Sequence, residues 1–206
     1  MTKIIAIVSQ KGGVGKTTTA LNLGYSLSLT GAKVLIIDGD PQGGVALAVN
    51  LKTRTAKGLV HALKQESAEE ETVIEFLNKD SLAVAGVGIE QPEDIHFFEQ
   101  AADDGSLGKL IKNMAGDFDY VLIDAPVGVG RIVKALLEVS TSYLLLINCK
   151  AGTVKSLPRL IKLADWLKKN INVELELEGI VTTMFDSKSQ SEQKIYNHFK
   201  ARLPDE

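Results

Sequence analysis

The segment Lys11-Gly12-Gly13-Val14-Gly15-Lys16-Thr17-Thr18 constrains this chain more than any other stretch of it. It follows an apolar, β-branched run, Ile4-Ile5-Ala6-Ile7-Val8, and leads into Thr17–Leu29, where Ala20, Leu23, Gly24 and Leu27 recur at helical spacing. Strand, glycine-rich turn and helix in that order build a phosphate-binding loop. Glycines let backbone N–H groups turn inward and approach an oxyanion with no Cβ in the way. The helix N-terminus adds unpaired donors and a partial positive charge. Lys16 supplies a cation for β- and γ-phosphates, Thr17 a hydroxyl for Mg²⁺, and Thr18 reaches towards an α-phosphate. Mg²⁺ keeps several waters and needs few protein ligands. The strict loop pattern has glycine five residues before Gly15, where this chain has Gln10; in compensation a second lysine, Lys11, precedes the Gly12-Gly13 pair.

The rest of the chain repeats the alternation that this first unit begins. Gly31 stops the first helix, and Lys33–Asp38, Ser81–Val87, Tyr120–Asp124, Ser142–Ile147 and Glu174–Thr183 read as strands. Between them, Leu59 and Leu63, then Val73, Ile74 and Leu77, suggest two short helices. Leu107, Leu110, Ile111 and Met114 form an apolar stripe, with Asp104 as its N-cap and Gly116 as its stop. Arg131–Val139 is helical, and Leu157, Leu160, Ile161, Ala164 and Leu167 make an amphipathic helix with Pro158 in its first turn. Ser189–Leu203 is a final helix. Such alternation predicts an α/β fold: a mainly parallel, twisted sheet with helices on both faces, in one domain over residues 1–206. The length suits a single domain, and 45% hydrophobic residues suffice for its core. In such sheets ligands bind at the carboxyl ends of the strands.

Two further motifs lie at those ends. Val34-Leu35-Ile36-Ile37-Asp38 runs into Gly39-Asp40-Pro41-Gln42-Gly43-Gly44; Asp38 and Asp40, two residues apart, can face the phosphate loop together. A carboxylate there can orient an attacking water or hold a metal-bound one, and the glycines around it suit a loop that changes its path. Tyr120-Val121-Leu122-Ile123-Asp124 is an apolar strand ending in an acid, the usual layout for a carboxylate that holds Mg²⁺ through water. Thr17, Asp38 and Asp124 are thus the candidate metal residues. Residues 66–104 carry twelve acids against Lys79 alone, either a solvated face or a docking surface for a basic segment. The net charge of −3 gives no overall basic field, so contact with nucleic acid requires a local patch. Cys149, the only cysteine, sits in an apolar run and reads as a core thiol in a reducing compartment. No apolar stretch approaches the roughly 18–20 residues of a membrane span, and a cytoplasmic location is expected.

The three motifs together resemble the ParA/MinD family of deviant Walker ATPases, whose fold is P-loop NTPase-like; the likeness runs from Thr2 to about Phe199. Asp40-Pro41-Gln42-Gly43 leans to the ParA branch, which places plasmids, chromosomes or protein cargo, and Asp124-Ala125-Pro126-Val127-Gly128 leans to the MinD branch. The resemblance implies ATP/ADP and Mg²⁺ as cofactors and slow, partner-stimulated ATP hydrolysis. It implies an ATP-dependent homodimer in which Lys11 reaches across to the partner's nucleotide, with Lys11, Lys16 and Asp40 supporting hydrolysis. Residues 11–18 hold the nucleotide, and Thr183-Met184-Phe185-Asp186 matches the segment flanking the adenine. Implied partners are a stimulating protein or cargo adaptor and non-specific DNA, the latter weak here, with a nucleoid-associated location. The family's C-terminal strand and helix, which supply part of the adenine pocket and basic residues for DNA, have no counterpart after Leu203, so the chain reads either as truncated or as a minimal variant. Lys188 stands where ParA-type proteins place a DNA-contacting arginine, or is a solvated loop lysine. The other reading is a nucleotide-dependent scaffold of the MinD-like branch whose output is dimerisation. A nitrogenase-reductase relative needs clustered cysteines, and Asp38-Gly39-Asp40-Pro41-Gln42 argues against an amidoligase or biotin-pathway enzyme.

Overall fold

A computed structural model of the protein describes residues 2–48, 57–65, 73–75 and 81–201. β1 (Lys3–Ser9) is central, pairing in parallel with β5 (Tyr120–Val127) on one side and β6 (Ser142–Asn148) on the other. β2 (Val34–Asp38) and then β4 (Leu82–Ala85) continue the parallel sheet beyond β5, and β7 (Glu176–Thr183) closes it beyond β6. β3 (Val73–Glu75) lies antiparallel along β4, which makes a seven-stranded sheet of order β3-β4-β2-β5-β1-β6-β7. Alternation along β1 feeds two cores. Ile4, Ala6 and Val8 join the larger cluster, and Ile5 and Ile7 the smaller one on the opposite face.

α1 (Lys16–Ser28) covers the smaller face through Ala20, with Leu23 and Leu27 packed behind it. It lies close to the sheet at Gly24, where a Cβ would come within 2.7 Å of Ile36 Cδ1. The larger face is covered by α3 (Leu59–Gln65), α4 (Pro92–Asp103), α5 (Ser106–Met114), α6 (Arg131–Val139) and α7 (Ala151–Asn170). α2 (Gly44–Ala48) follows β2, and α8 (Gln190–Lys200) follows β7. Among the described residues no helix is long and apolar enough to cross a membrane.

Four expectations need correction. Val73 and Ile74, read as helical, form an edge strand instead. Two adjacent β-branched residues suit a pleated ladder, and Ala85 and Val84 pair with them; Leu77 lies outside the described residues. Asp104 ends α4, and the N-cap of α5 is Gly105 at φ 85°. Asp104 still accepts the Ser106 N–H at 2.9 Å, so it serves the helix start from one residue further out. Pro158 falls in the eighth position of α7, because the helix begins at Ala151, ahead of its apolar stripe. A proline there removes the N–H that would have bonded the Val154 carbonyl. α4 itself is hidden within the acidic run. Phe98, Ala101 and Ala102 are its core-facing residues, and buried Asp94 bonds the N–H groups of Glu90 and Gln91 and pairs with Lys64 at 2.5 Å. That segment is therefore not simply a solvated face; its residues 66–72 and 76–80 lie outside the described part. The last helix runs over Gln190–Lys200 with Ser189 as its cap, and Leu203 also lies outside.

Candidate functional site

The carboxyl ends of β2, β5, β1, β6 and β7 lie side by side, and the candidate residues fall along that edge in the same order. After β1, the chain turns through Gly13 at φ 68° and Gly15 at φ 88°. Both are left-handed conformations that cost a side-chain-bearing residue about 1 kcal/mol or more. Gly15 is the N-cap of α1 and makes no side-chain cap, so the first N–H groups of the helix are left for another acceptor. Val14 anchors the loop by burying its side chain in the smaller core. Ser9 Oγ donates to the Lys11 carbonyl at 2.8 Å. Gln10, which replaces the usual glycine, leaves a buried Nε2 donor with no partner.

The two lysines of the loop have opposite settings. Lys16 is buried, at 8% exposure, and lies close enough to Asp124 for its charge to oppose the rise in that carboxyl's pKa. Lys11 is exposed. Its Nζ lies 3.3 Å from where a Cβ on Gly152 would stand, in the first turn of α7.

On the β2–β5 side, Thr17 Oγ1 donates to Asp124 Oδ2 at 2.5 Å, while Asp124 Oδ1 is buried with no partner. Asp124 is directly opposite Asp38 in the β2–β5 ladder. Asp38 is fully buried and accepts the N–H groups of Val45 at 2.9 Å and Asp40 at 3.2 Å, which ties the β2–α2 turn to the strand end. Burial pushes the Asp38 pKa from 3.8 up to about 7. The Val45 and Asp40 amides oppose the rise, and the neighbouring charges of Asp124 and Asp40 add to it. Asp124 is raised too, by burial first, against the Thr17 hydroxyl and Lys16. Asp40 is half-buried, and its Oδ1 accepts the Gln42 N–H at 3.0 Å within the loop.

These residues fit a hydrated divalent cation. A buried carboxylate oxygen lacks a partner, a hydroxyl is held beside it, and burial raises the pKa of two adjacent carboxyls whose charged forms an added cation would favour. No group of three or more acidic, histidine or cysteine ligands exists among the described residues, so a cation there would keep much of its water shell, as Mg²⁺ does. Of the three candidate metal residues, Thr17 and Asp124 are in direct contact. Asp38 has both oxygens engaged by backbone amides.

In the sequence Gly44 reads only as part of a flexible loop. A Cβ there would stand 3.2 Å from Thr17 Oγ1 and 4.0 Å from Asp124 Oδ2, so its missing side chain keeps the space beside the pair open. The Gly43-Gly44 doublet is the signal that could have found it. Thr18 is exposed beyond the loop. Thr183 and Met184 are at the other end of the edge. Thr183 pairs with Asn148 and donates to the Ile147 carbonyl at 3.2 Å, and Met184 is 66% exposed at φ 52°. Lys188 is exposed in the loop before α8.

A family model described as an AAA domain matches residues 2–177. The chain is similar to the chromosome partitioning protein ParA of Myxococcus xanthus, at 29% identity over 98% of this chain and 73% of that one. It is 30% identical to the sporulation initiation inhibitor protein Soj of Bacillus subtilis, over 92% of this chain and 75% of that one. Among solved structures, cobyrinic acid a,c-diamide synthase of Mycobacterium smegmatis, with a bound ATP analogue and magnesium, superposes with a TM-score of 0.84. It covers 98% of this chain and 83% of that one at 22% identity, a likeness of fold. With the glycine loop, its two lysines and the paired strand-end carboxylates in place, the chain belongs to the ParA/MinD family of deviant Walker P-loop ATPases.

Proposed function

We propose that this chain is a Mg²⁺-dependent ATPase and that its ATP-bound dimer positions DNA or protein cargo. The observation that carries the reading is the contrast between its two loop lysines: Lys16 is buried beside Asp124, and Lys11 is exposed. In this reading the N–H groups of residues 12–18 bind the phosphates, and Lys16 neutralises their charge from within the chain. Thr17 and Asp124 would hold Mg²⁺. When bound, Mg²⁺ would supply positive charge to offset the negative charge that develops on the phosphates. Asp40, on the β2–α2 turn, orients the attacking water and accepts its hydrogen bond. Lys11 is left to compensate charge in a facing subunit, and Gly12 and Gly13 keep the approach clear of side chains. A face-to-face pair of sites concentrates phosphate charge that repels unless cations lie between, so the dimer forms only with nucleotide in both sites.

Light scattering on Asp40→Ala, which should bind ATP and turn it over slowly, tests the switch. The mass should double on adding Mg·ATP and return to that of the monomer with ADP. Equal masses with and without ATP would overturn the proposal.

A further inference from the structure

A second charged pair stands at the opposite end of the strand edge from Asp38 and Asp124. Glu192, in the first turn of α8, is only 4% exposed. Its Oε1 accepts from Lys150 Nζ, and its Oε2 accepts the Asp186 N–H at 3.0 Å. Lys150 is the N-cap of α7, and its side chain is 63% exposed. The carboxylate is therefore the buried member of the pair, the one for which losing a partner is costly.

Residues 184–189, which this carboxylate fastens, join β7 to α8. Met184 opens the connection in the left-handed region, an expensive place for a residue with a side chain, and such conformations persist where the surroundings over-determine them. The surroundings here are dense. Ser189 N–H bonds the Asp186 carbonyl at 3.1 Å, Lys188 N–H bonds Asp186 Oδ1 at 2.9 Å, and the Phe185 ring packs on Tyr196 at 5.1 Å between centroids. All of those contacts stay within the loop and α8. Among the described residues, Glu192 is the side chain of this unit whose hydrogen bond reaches the β6–α7 connection, at Lys150.

Thr183 ends β7, two strands from β1 and thus about 10 Å from the start of the phosphate loop. That is the scale separating a nucleotide's phosphates from its base. We infer that Glu192, with Lys150 as its counter-charge, is a positioning residue that fixes the Thr183–Met184 wall and so sets the base-dependent part of nucleotide affinity. The inference rests on the reading of Thr183 and Met184 as base-flanking residues, and it assigns Glu192 no contact with the phosphates.

Calorimetric titration of the full chain with Mg·ATP and, separately, with Mg·tripolyphosphate, which has no base, separates the two parts of the affinity. The unaltered protein should bind ATP more tightly than tripolyphosphate. Glu192→Ala should weaken ATP binding about tenfold or more, the scale of a lost charged hydrogen bond, and leave tripolyphosphate affinity unchanged. Glu192→Gln, which keeps an acceptor for the Asp186 N–H, should recover part of that loss, and Lys150→Met should fall between the two. Unchanged tripolyphosphate binding also certifies that the variants are folded. Equal losses for both ligands would make Glu192 a general support of the fold and overturn the inference, as would unchanged ATP affinity in Glu192→Ala. If the unaltered protein bound the two ligands equally, the base-side reading of Thr183 and Met184 would itself fail, whatever the variants did.

Discussion

Asp38→Asn should change how the stability of the metal- and nucleotide-free protein depends on pH. Asp38 is fully buried opposite Asp124, and its pKa rises from 3.8 to about 7 on folding. Below the unfolded value both states carry the proton, and the stability contribution of the neutral group is fully present. As pH climbs past it, the unfolded chain gives up the proton and the folded chain keeps it, so stability falls until the folded carboxyl ionises near pH 7. Each pH unit crossed between the two values costs about 1.4 kcal/mol, so the loss across this window is on the order of 4 kcal/mol. Asparagine does not ionise. Its stability relative to the unaltered protein should therefore climb between about pH 4 and pH 7 and level off above.

The substitution has a cost of its own. Val45 and Asp40 both donate to the carboxylate, and an amide group accepts through only one of its two atoms, leaving one backbone donor unpaired at about 1–3 kcal/mol. That cost does not vary with pH, so the slope of the difference is the test and its offset is not. Asp124 is present in both proteins, and the difference isolates Asp38 together with its coupling to Asp124. Urea unfolding in the presence of EDTA, at several pH values through the window, measures it. A flat difference would mean that Asp38 ionises in the ordinary carboxylate range and that the crowding of charge at the strand ends has been misjudged.

Lys16→Ala should remove Mg·ATP binding and leave the fold intact, as followed by titration with a fluorescent ATP analogue; undiminished affinity in a folded variant would remove Lys16 from the phosphate site. Asp40→Ala should keep ATP binding and slow turnover by about 10²–10⁴-fold, the usual cost of losing one group that handles the attacking water. Steady-state phosphate release near the unaltered rate would reduce Asp40 to a loop residue. Duplex DNA should bind weakly, only with ATP, and with a steep dependence on salt because phosphate contacts release counterions. The exposed side chains of Lys155, Arg159, Lys162 and Lys169 along α7 offer a local positive row in a chain of net charge −3. Fluorescence anisotropy that showed tight, salt-insensitive binding without nucleotide would contradict this distribution of charge.

Much of this arrangement can be read from residues alone because the relevant signals are local. A β-branched run, three glycines and a lysine in register determine the phosphate loop without help from distant contacts, and apolar strands ending in Asp38 and Asp124 announce the carboxylate side. What escapes depends on contacts between remote segments. The burial of Asp94 on α4 follows from Lys64, 30 residues earlier. The short helix Gly44–Ala48 has no apolar period of its own, and its start is held by Asp38 through the Val45 amide. Pro158 reads as a first-turn residue from sequence because the turns before it carry little apolar signal. Glu192 looks like an ordinary first-turn acid until the fold sets Lys150, 42 positions away, against it.

The resting place of Lys11 bears on why dimerisation should be conditional on nucleotide. Its ammonium lies over Gly152, in the first turn of the 20-residue α7. A helix N-terminus carries partial positive charge and disfavours a cation there. Among the described residues the Lys11 side chain makes no hydrogen bond or ion pair that would offset this. The lysine is held near its own chain by little more than the room that a glycine leaves. Moving it out towards solvent or a facing surface therefore costs little, and what decides its position is whether negative charge waits elsewhere. In the proposed dimer a phosphate-filled site on a second subunit would supply that charge, and an empty one would not. Assembly would then follow nucleotide occupancy because the competing site within the chain is weak, with no need for a large conformational change to release the lysine.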